Sequence, residues 1–133
     1  MKLQPDSNQA LFTISAQGPG FVEVNRVRYL QGVCLASDTA PEPWGCDGFG
    51  ALTAADFERL LALQPEIVII GTGHRQRFPH PSLLQALISQ GVGFESMNTA
   101  AACRTYNILA GEGRRVVAAL VVDPRDATVN ADL

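Results

Sequence analysis

The chain has 133 residues, a formal net charge of −3, a hydrophobic content of 47% and charged residues at 17%. That length suits one domain, which should bury roughly two-thirds of its unfolded surface without needing a disulfide or metal. The composition argues against a disordered chain, a coiled coil or a general nucleic-acid binder, and no apolar run approaches the ~20 residues of a membrane span.

Met1 to Gln9 reads MKLQPDSNQ. It has neither the apolar core of a secretory signal nor the arginine-rich amphipathic pattern of a mitochondrial presequence. The expectation is a loose N-terminus (residues 1–9) on a soluble, cytoplasmic protein. From Leu11 to Ala16, residues alternate with a period of two, which predicts a strand. Gly18-Pro19-Gly20 is a turn. Phe21, Val22 and Val24 resume an extended pattern, Asn25-Arg26 offers a tight reversal, and Val27 to Leu35 is a third strand candidate. Residues 10 to 36 therefore read as a β-meander.

Ser37 to Leu52 carries Pro41, Pro43, Gly45, Gly48 and Gly50 and reads as a long irregular loop. Such a loop in a compact domain is packed down or functional. Trp44 is expected to be the anchor that packs it, with a partner-binding role as the alternative if it is exposed.

The second half alternates helix and strand. Thr53-Ala54-Ala55-Asp56 resembles a capping box, and Phe57, Leu60 and Leu61 form the apolar face of a helix that Pro65 stops. Ile67 to Ile70 is a continuous β-branched and apolar run, as in a strand buried on both faces. Pro81 suits the first turn of the next helix, and Gly91 its C-terminal cap. Val92 to Glu95 is a short strand. Asn98 or Thr99 caps a helix running to about Ala110, and Arg115 to Val122 is a final strand of open direction. The fold class is thus α/β: a single domain over residues 1–122 with a central mixed, mostly parallel sheet, in the order β-β-β-α-β-α-β-α-β. Residues 123–133 read as a flexible tail.

Gly71, Thr72, Gly73, His74, Arg75 and Arg77 follow a buried strand and precede a helix, and no acidic residue lies between Glu66 and Glu95. Ligands in open α/β sheets bind outside the carboxyl ends of strands, so this loop is a candidate anion pocket. It matches neither the phosphate-binding loop with Gly-Lys-Ser/Thr nor the dinucleotide glycine fingerprint. The helix from Asn98 brings Thr99, Cys103 and Asn107 to one face at i, i+4 spacing, with Arg104 beside them. Its N-terminal N–H groups would add donors to the same crevice. A solvated loop is the simpler account of the arginines. Lys2 stands alone against nine arginines, a bias that a GC-rich coding sequence explains without any function.

Cys34, Cys46 and Cys103 are odd in number and lack C-x-x-C spacing, which favours reduced thiols. Cys103 is the candidate nucleophile, since a helix N-terminus or a nearby cation lowers a thiol pKa. A small buried residue packed among alanines is the expectation to beat. His74 and His80 have no recognised metal-ligand spacing with the cysteines, so neither a metal nor a cofactor is expected.

Two blocks resemble a known family. One is Ile67-Val68-Ile69-Ile70-Gly71-Thr72-Gly73 followed by a proline-containing loop. The other runs from Glu95-Ser96-Met97-Asn98-Thr99 through Ala100-Ala101-Ala102-Cys103-Arg104-Thr105-Tyr106-Asn107 to Glu112-Gly113-Arg114. Together they are similar to the domain of unknown function 498 family, which includes the mitochondrial complex I assembly factor 3 and adipogenesis-associated Mth938-domain-like proteins. The resemblance covers about residues 11 to 122. It implies a central mixed sheet with a helical layer and an added β layer. It also implies an accessory or assembly role without established enzymatic activity, in a bacterial cytoplasmic member. The expected partner is another protein, docking on a surface that includes Trp44 and Arg75. The alternative is a small anionic ligand, or an enzyme, using the crevice between Gly71–Pro79 and Asn98–Ala110. No nucleic acid is expected, and the sequence is silent on oligomeric state.

Overall fold

A computed structural model describes residues 11–124. The expected loose N-terminus (1–9) and most of the expected tail (125–133) lie outside them. A five-stranded sheet has the order β5-β4-β8-β6-β7, and a separate three-stranded sheet has the order β1-β2-β3. The strands of the central sheet are β4 (Val33–Ala36), β5 (Thr39–Pro43), β6 (Ile67–Thr72), β7 (Gly93–Met97) and β8 (Val116–Val121). Those of the small sheet are β1 (Ile14–Gly18), β2 (Phe21–Val24) and β3 (Val27–Tyr29).

β8 is buried along its whole length, because Val-Val-Ala-Ala-Leu-Val has no polar side chain to solvate and both faces are covered. It runs parallel to β6, with Ile67 opposite Val116 and Thr72 opposite Val121, and antiparallel to β4. This settles the direction the sequence left open. Side chains alternate between two cores. On one face, Val68, Ile70, Val117 and Ala119 meet Trp44, Phe57, Leu60 and Leu87 beneath α1 (Ala54–Arg59) and α2 (Gln85–Ser89). On the other, Ile69, Ala118 and Leu120 meet Ala102, Cys103 and Tyr106 of α3 (Thr99–Gly111), together with Ile14, Val22 and Val24 of the small sheet.

The local signals are realised at most element ends. The Thr53 hydroxyl accepts the Asp56 N–H at 3.3 Å, while the Asp56 carboxylate accepts the Thr53 N–H at 2.8 Å. α1 tightens into a 3-10 turn at Leu60–Leu63 and ends on Gln64 at φ 55, just before Pro65. The Asn98 side chain accepts the Ala101 N–H at 2.8 Å and starts α3. Asn25 and Arg26 adopt φ 49 and 73, the geometry of a tight hairpin reversal between β2 and β3.

Two expectations need correction. The stretch from Val27 to Leu35 is two strands, β3 and β4, so residues 10–36 do not form one meander: β4 leaves it to join the central sheet. The break falls at Gly32, where an added Cβ would collide with the carbonyl oxygen of Trp44. Gly32 in turn accepts the Trp44 N–H at 2.9 Å. The stretch from Ser37 to Leu52 is not wholly irregular, since it contains β5. Pro41 and Pro43 made it read as loop, but β5 is an edge strand, where proline is tolerated.

The small sheet is fastened to the helix by polar clasps. The Asn107 side chain accepts the Ile14 N–H and donates to the Ile14 carbonyl, both at 2.9 Å. The Tyr106 hydroxyl donates to the Phe12 carbonyl at 2.7 Å. Replacing Asn107 by alanine should lower unfolding stability by about 1–3 kcal/mol, because both backbone groups of Ile14 lose their partner. Urea unfolding measures the loss, and amide exchange at Ile14 should accelerate more than exchange at Ile69. An unchanged midpoint would mean that water substitutes for the clasp at no cost.

Candidate functional site

The carboxyl end of β6 lies against the first turn of α3. At Gly71 an added Cβ would sit 3.0 Å from the Thr99 hydroxyl oxygen and 3.1 Å from the Thr99 Cα, so a side chain here would press on the first turn of the helix. The Thr99 hydroxyl donates to the Val121 carbonyl at 2.8 Å and accepts the Gly73 N–H at 2.9 Å. The Thr99 N–H donates to the Gly73 carbonyl at 2.8 Å.

Thr72 is fully buried. Its hydroxyl donates to the Arg75 carbonyl at 2.8 Å, lies 3.1 Å from the Met97 carbonyl and accepts the Arg77 N–H at 3.1 Å. It folds the loop after β6 back over the strand end. Beside this junction lies an open groove of about 420 Å³, walled by Gln17 to Phe21, Gly73, His74, Asn98 to Ala100, Val121 and Val122. It sits outside the carboxyl ends of β6 and β8, where an α/β sheet is expected to bind ligands.

Of the residues proposed for the anion pocket, Gly73, His74 and Thr99 line this groove; Arg75, Arg77, Arg104 and Asn107 do not. The Arg77 guanidinium donates to the Thr72 carbonyl at 2.6 Å and lies 4.6 Å above the Phe49 ring, on the α1 side of the sheet. Arg75 and Arg104 are exposed. The three arginines therefore do not assemble around one anion. The α3 N-terminus is also largely satisfied from within, since the Thr99 and Ala101 N–H groups already donate to Gly73 and Asn98. The wall formed by the turn at Gly18-Pro19-Gly20 was missed. The turn was legible, but its position opposite α3 depends on the long-range bonds from Tyr106 and Asn107.

Trp44 is 1% exposed. Its indole N–H donates to the Asp56 carbonyl at 2.8 Å, and its ring meets Phe57 edge-on at 5.4 Å. It anchors the loop after β5 and has no face to offer a partner, which corrects the partner-surface role considered for it. Cys103 is 2% exposed, and burial pushes its thiol up to about 12, with Arg104 pulling weakly the other way. A protonated thiol without solvent access is no nucleophile at neutral pH. Cys34 is likewise pushed up to about 11 by burial. No group of three His, Cys, Asp or Glu side chains clusters to hold a metal among the described residues. No helix among them is long and apolar enough to cross a membrane.

The architecture is that of a single mixed α/β domain, with helices on one face of the central sheet and a helix plus a second sheet on the other. A family model described as "Protein of unknown function (DUF498/DUF598)" matches residues 14–121, and the chain belongs to this family. It is 33% identical over 130 residues to the mouse NADH dehydrogenase [ubiquinone] 1 alpha subcomplex assembly factor 3, covering 96% of this chain and 69% of that protein. The chain thus spans about two thirds of that relative's length. The crystal structure of a Bordetella parapertussis protein superposes with a TM-score of 0.81 at 42% identity, covering 86% of this chain and 98% of that one. The solution structure of a Bordetella pertussis protein, described as a Mth938-like domain, gives a TM-score of 0.79 at 34% identity and covers 98% of both chains.

Three measurements check this site. Gly71→Ala should cost about 1–3 kcal/mol of stability through overpacking against Thr99, read by thermal or urea unfolding. Iodoacetamide should label exposed Cys46 and spare Cys34 and Cys103 until the protein unfolds. The unfolded chain releases the Cys103 proton near pH 9.0 while the folded one holds it to about 12. The corresponding stability is therefore complete below the lower value and falls as pH rises toward the upper. Cys103→Ala should flatten that alkaline decline; an unchanged slope would assign it to other groups.

Proposed function

We infer that this protein is a non-catalytic accessory or assembly protein of the cytoplasm that acts by binding another protein. The observation that carries this reading is the similarity to a complex I assembly factor across 96% of the chain. The chemistry of the junction supports it. Thr72, Thr99 and Asn107 bond to backbone groups, and Cys103 is a buried, protonated thiol. The loop after β6 exposes His74, Arg75, Gln76 and Phe78, the last 79% exposed. An exposed cation and an exposed aromatic ring on one loop suit a protein contact better than a reaction.

Affinity capture of the tagged protein at native expression level, in its source organism, tests the reading. A defined set of proteins should be enriched over a tag-only control, with the yield lowered by Arg75→Ala. No enrichment would end the proposal, and full recovery by Arg75→Ala would remove this loop from the contact. A second reading rests on the groove of about 420 Å³ beside Gly73, His74 and the first turn of α3, which has room for a small anionic ligand. Titration with inorganic phosphate or acetate should then shift the Gly73 and Ala100 amide resonances, and the absence of shifts would exclude it.

A further inference from the structure

The two edges of the central sheet are not equivalent. β5 closes one edge with Pro41 and Pro43, which have no N–H to offer, and the Pro43 carbonyl accepts from Arg59 at 3.1 Å. Prolines and charged neighbours are how natural sheets discourage further pairing. Among the described residues, β7 forms the other edge and pairs only with β6.

The Gly93 N–H donates to the Glu66 carbonyl at 3.1 Å, and the Met97 carbonyl lies 3.1 Å from the Thr72 hydroxyl. Backbone groups of alternate residues point to the same neighbour, so Gly93, Glu95 and Met97 address β6. Phe94 and Ser96 therefore direct both their N–H and C=O groups outward, where no strand lies among the described residues. Side chains alternate too. Phe94 and Ser96 are in register with Val68 and Ile70 on the α2 face, while Glu95 is in register with Ile69 on the α3 face. Beside the outward groups is a mainly apolar groove of about 290 Å³ lined by Phe78, Pro79, Leu84 and Phe94, with Glu95 and Ser96 at the strand.

We propose that β7 is a docking edge for an extended segment of a partner protein, which adds as a strand and places a basic residue opposite Glu95. The flanking residues of that segment, one on either side of the basic one, point to the α2 face and are apolar, filling the groove beneath Phe78. Main-chain bonds to Phe94 and Ser96 supply affinity, and the groove and Glu95 supply selectivity. A second copy of this chain fits less well. The antiparallel self-pairing that satisfies the outward groups of both residues sets Phe94 against Ser96 of the other copy. That register puts Glu95 opposite Glu95 in the closely spaced non-hydrogen-bonded position, where like charges repel.

This inference rests on the reading that the protein works through a protein partner, but a peptide tests the edge by itself. The labelled protein is titrated with acetyl-Thr-Ile-Lys-Ile-Thr-amide while its amide resonances are followed. The Phe94 and Ser96 amides should shift most. The matched peptide with Glu at its centre should bind about threefold more weakly, and Glu95→Gln should remove that difference. Ser96→Pro should abolish binding and keep its thermal midpoint, because the β6 ladder does not use the Ser96 N–H. Should that variant unfold, Phe78→Ser at an exposed position still decides: binding must weaken. Unshifted Phe94 and Ser96 amides, or equal affinity for the two peptides, would overturn the proposal. So would protection of both amides in the dilute protein alone, or a concentration-dependent dimer that protects them. A failed titration alongside successful affinity capture removes this edge and leaves the partner reading standing.

Discussion

At the carboxyl end of β6 the backbone of α3 comes so close that a side chain at position 71 would press against Thr99 and Leu120. That approach lets one hydroxyl, on Thr99, join three elements: its own helix, the Gly73 N–H after β6 and the Val121 carbonyl at the end of β8. The rest of the α3 layer follows. Once its first turn is fixed, the helix lays Ala102, Cys103 and Tyr106 onto the sheet. Its later turn then presents Tyr106 and Asn107 to the backbone of Phe12 and Ile14. The small sheet reaches the body of the protein through those bonds and the apolar contacts beneath them. It is positioned by a helix that is itself positioned by a glycine.

The same constraint decides what the junction can bind. A strand end rich in glycine, next to a helix N-terminus, is a common place for an anion, because backbone N–H groups there lack partners. Here Gly73 and Thr99 satisfy each other, Asn98 takes the Ala101 N–H, and the Thr72 hydroxyl donates to the Arg75 carbonyl and accepts the Arg77 N–H. A ligand would have to compete with bonds already made. The cations that would have drawn it are elsewhere: Arg77 is stacked on Phe49 across the sheet, and Arg75 and Arg104 face solvent.

Features encoded within a few residues were legible in the sequence. The capping box at Thr53, the cap at Asn98, the apolar run of β6 and the stop before Pro65 are short-range chemistry. Features set by partners far along the chain were not. Gly32 sits within the Val27 to Leu35 run with no local signal of a break, and its role depends on Trp44 passing against it. The polar stripe of Thr99, Cys103 and Asn107 was correctly placed on one helical face, but helical spacing shows which residues share a face and not what that face meets. It meets the Val121 carbonyl, the core and the Ile14 backbone, three structural tasks in place of one site. The prolines of β5 misled for a similar reason. Proline forbids a central strand but not an edge one, and only the assembled sheet shows which strand is the edge.

Edge position also bears on how such a domain serves as a docking unit. Recognition through side chains ties a surface to particular residues, so sequence divergence erodes it quickly. Recognition through outward backbone groups asks only that a strand remain an edge and that its neighbourhood stay apolar and uncrowded. At 33% identity to the mouse assembly factor, with a superposable backbone in the Bordetella structures, the strand framework is the property most readily shared. Under the docking reading, β7 supplies the common element, and residues beside it such as Phe78 and Glu95 adjust which segment is accepted. The opposite edge cannot take that role while Pro41 and Pro43 occupy it, so the prolines that disguised β5 as a loop also leave β7 as the open edge of the sheet among the described residues.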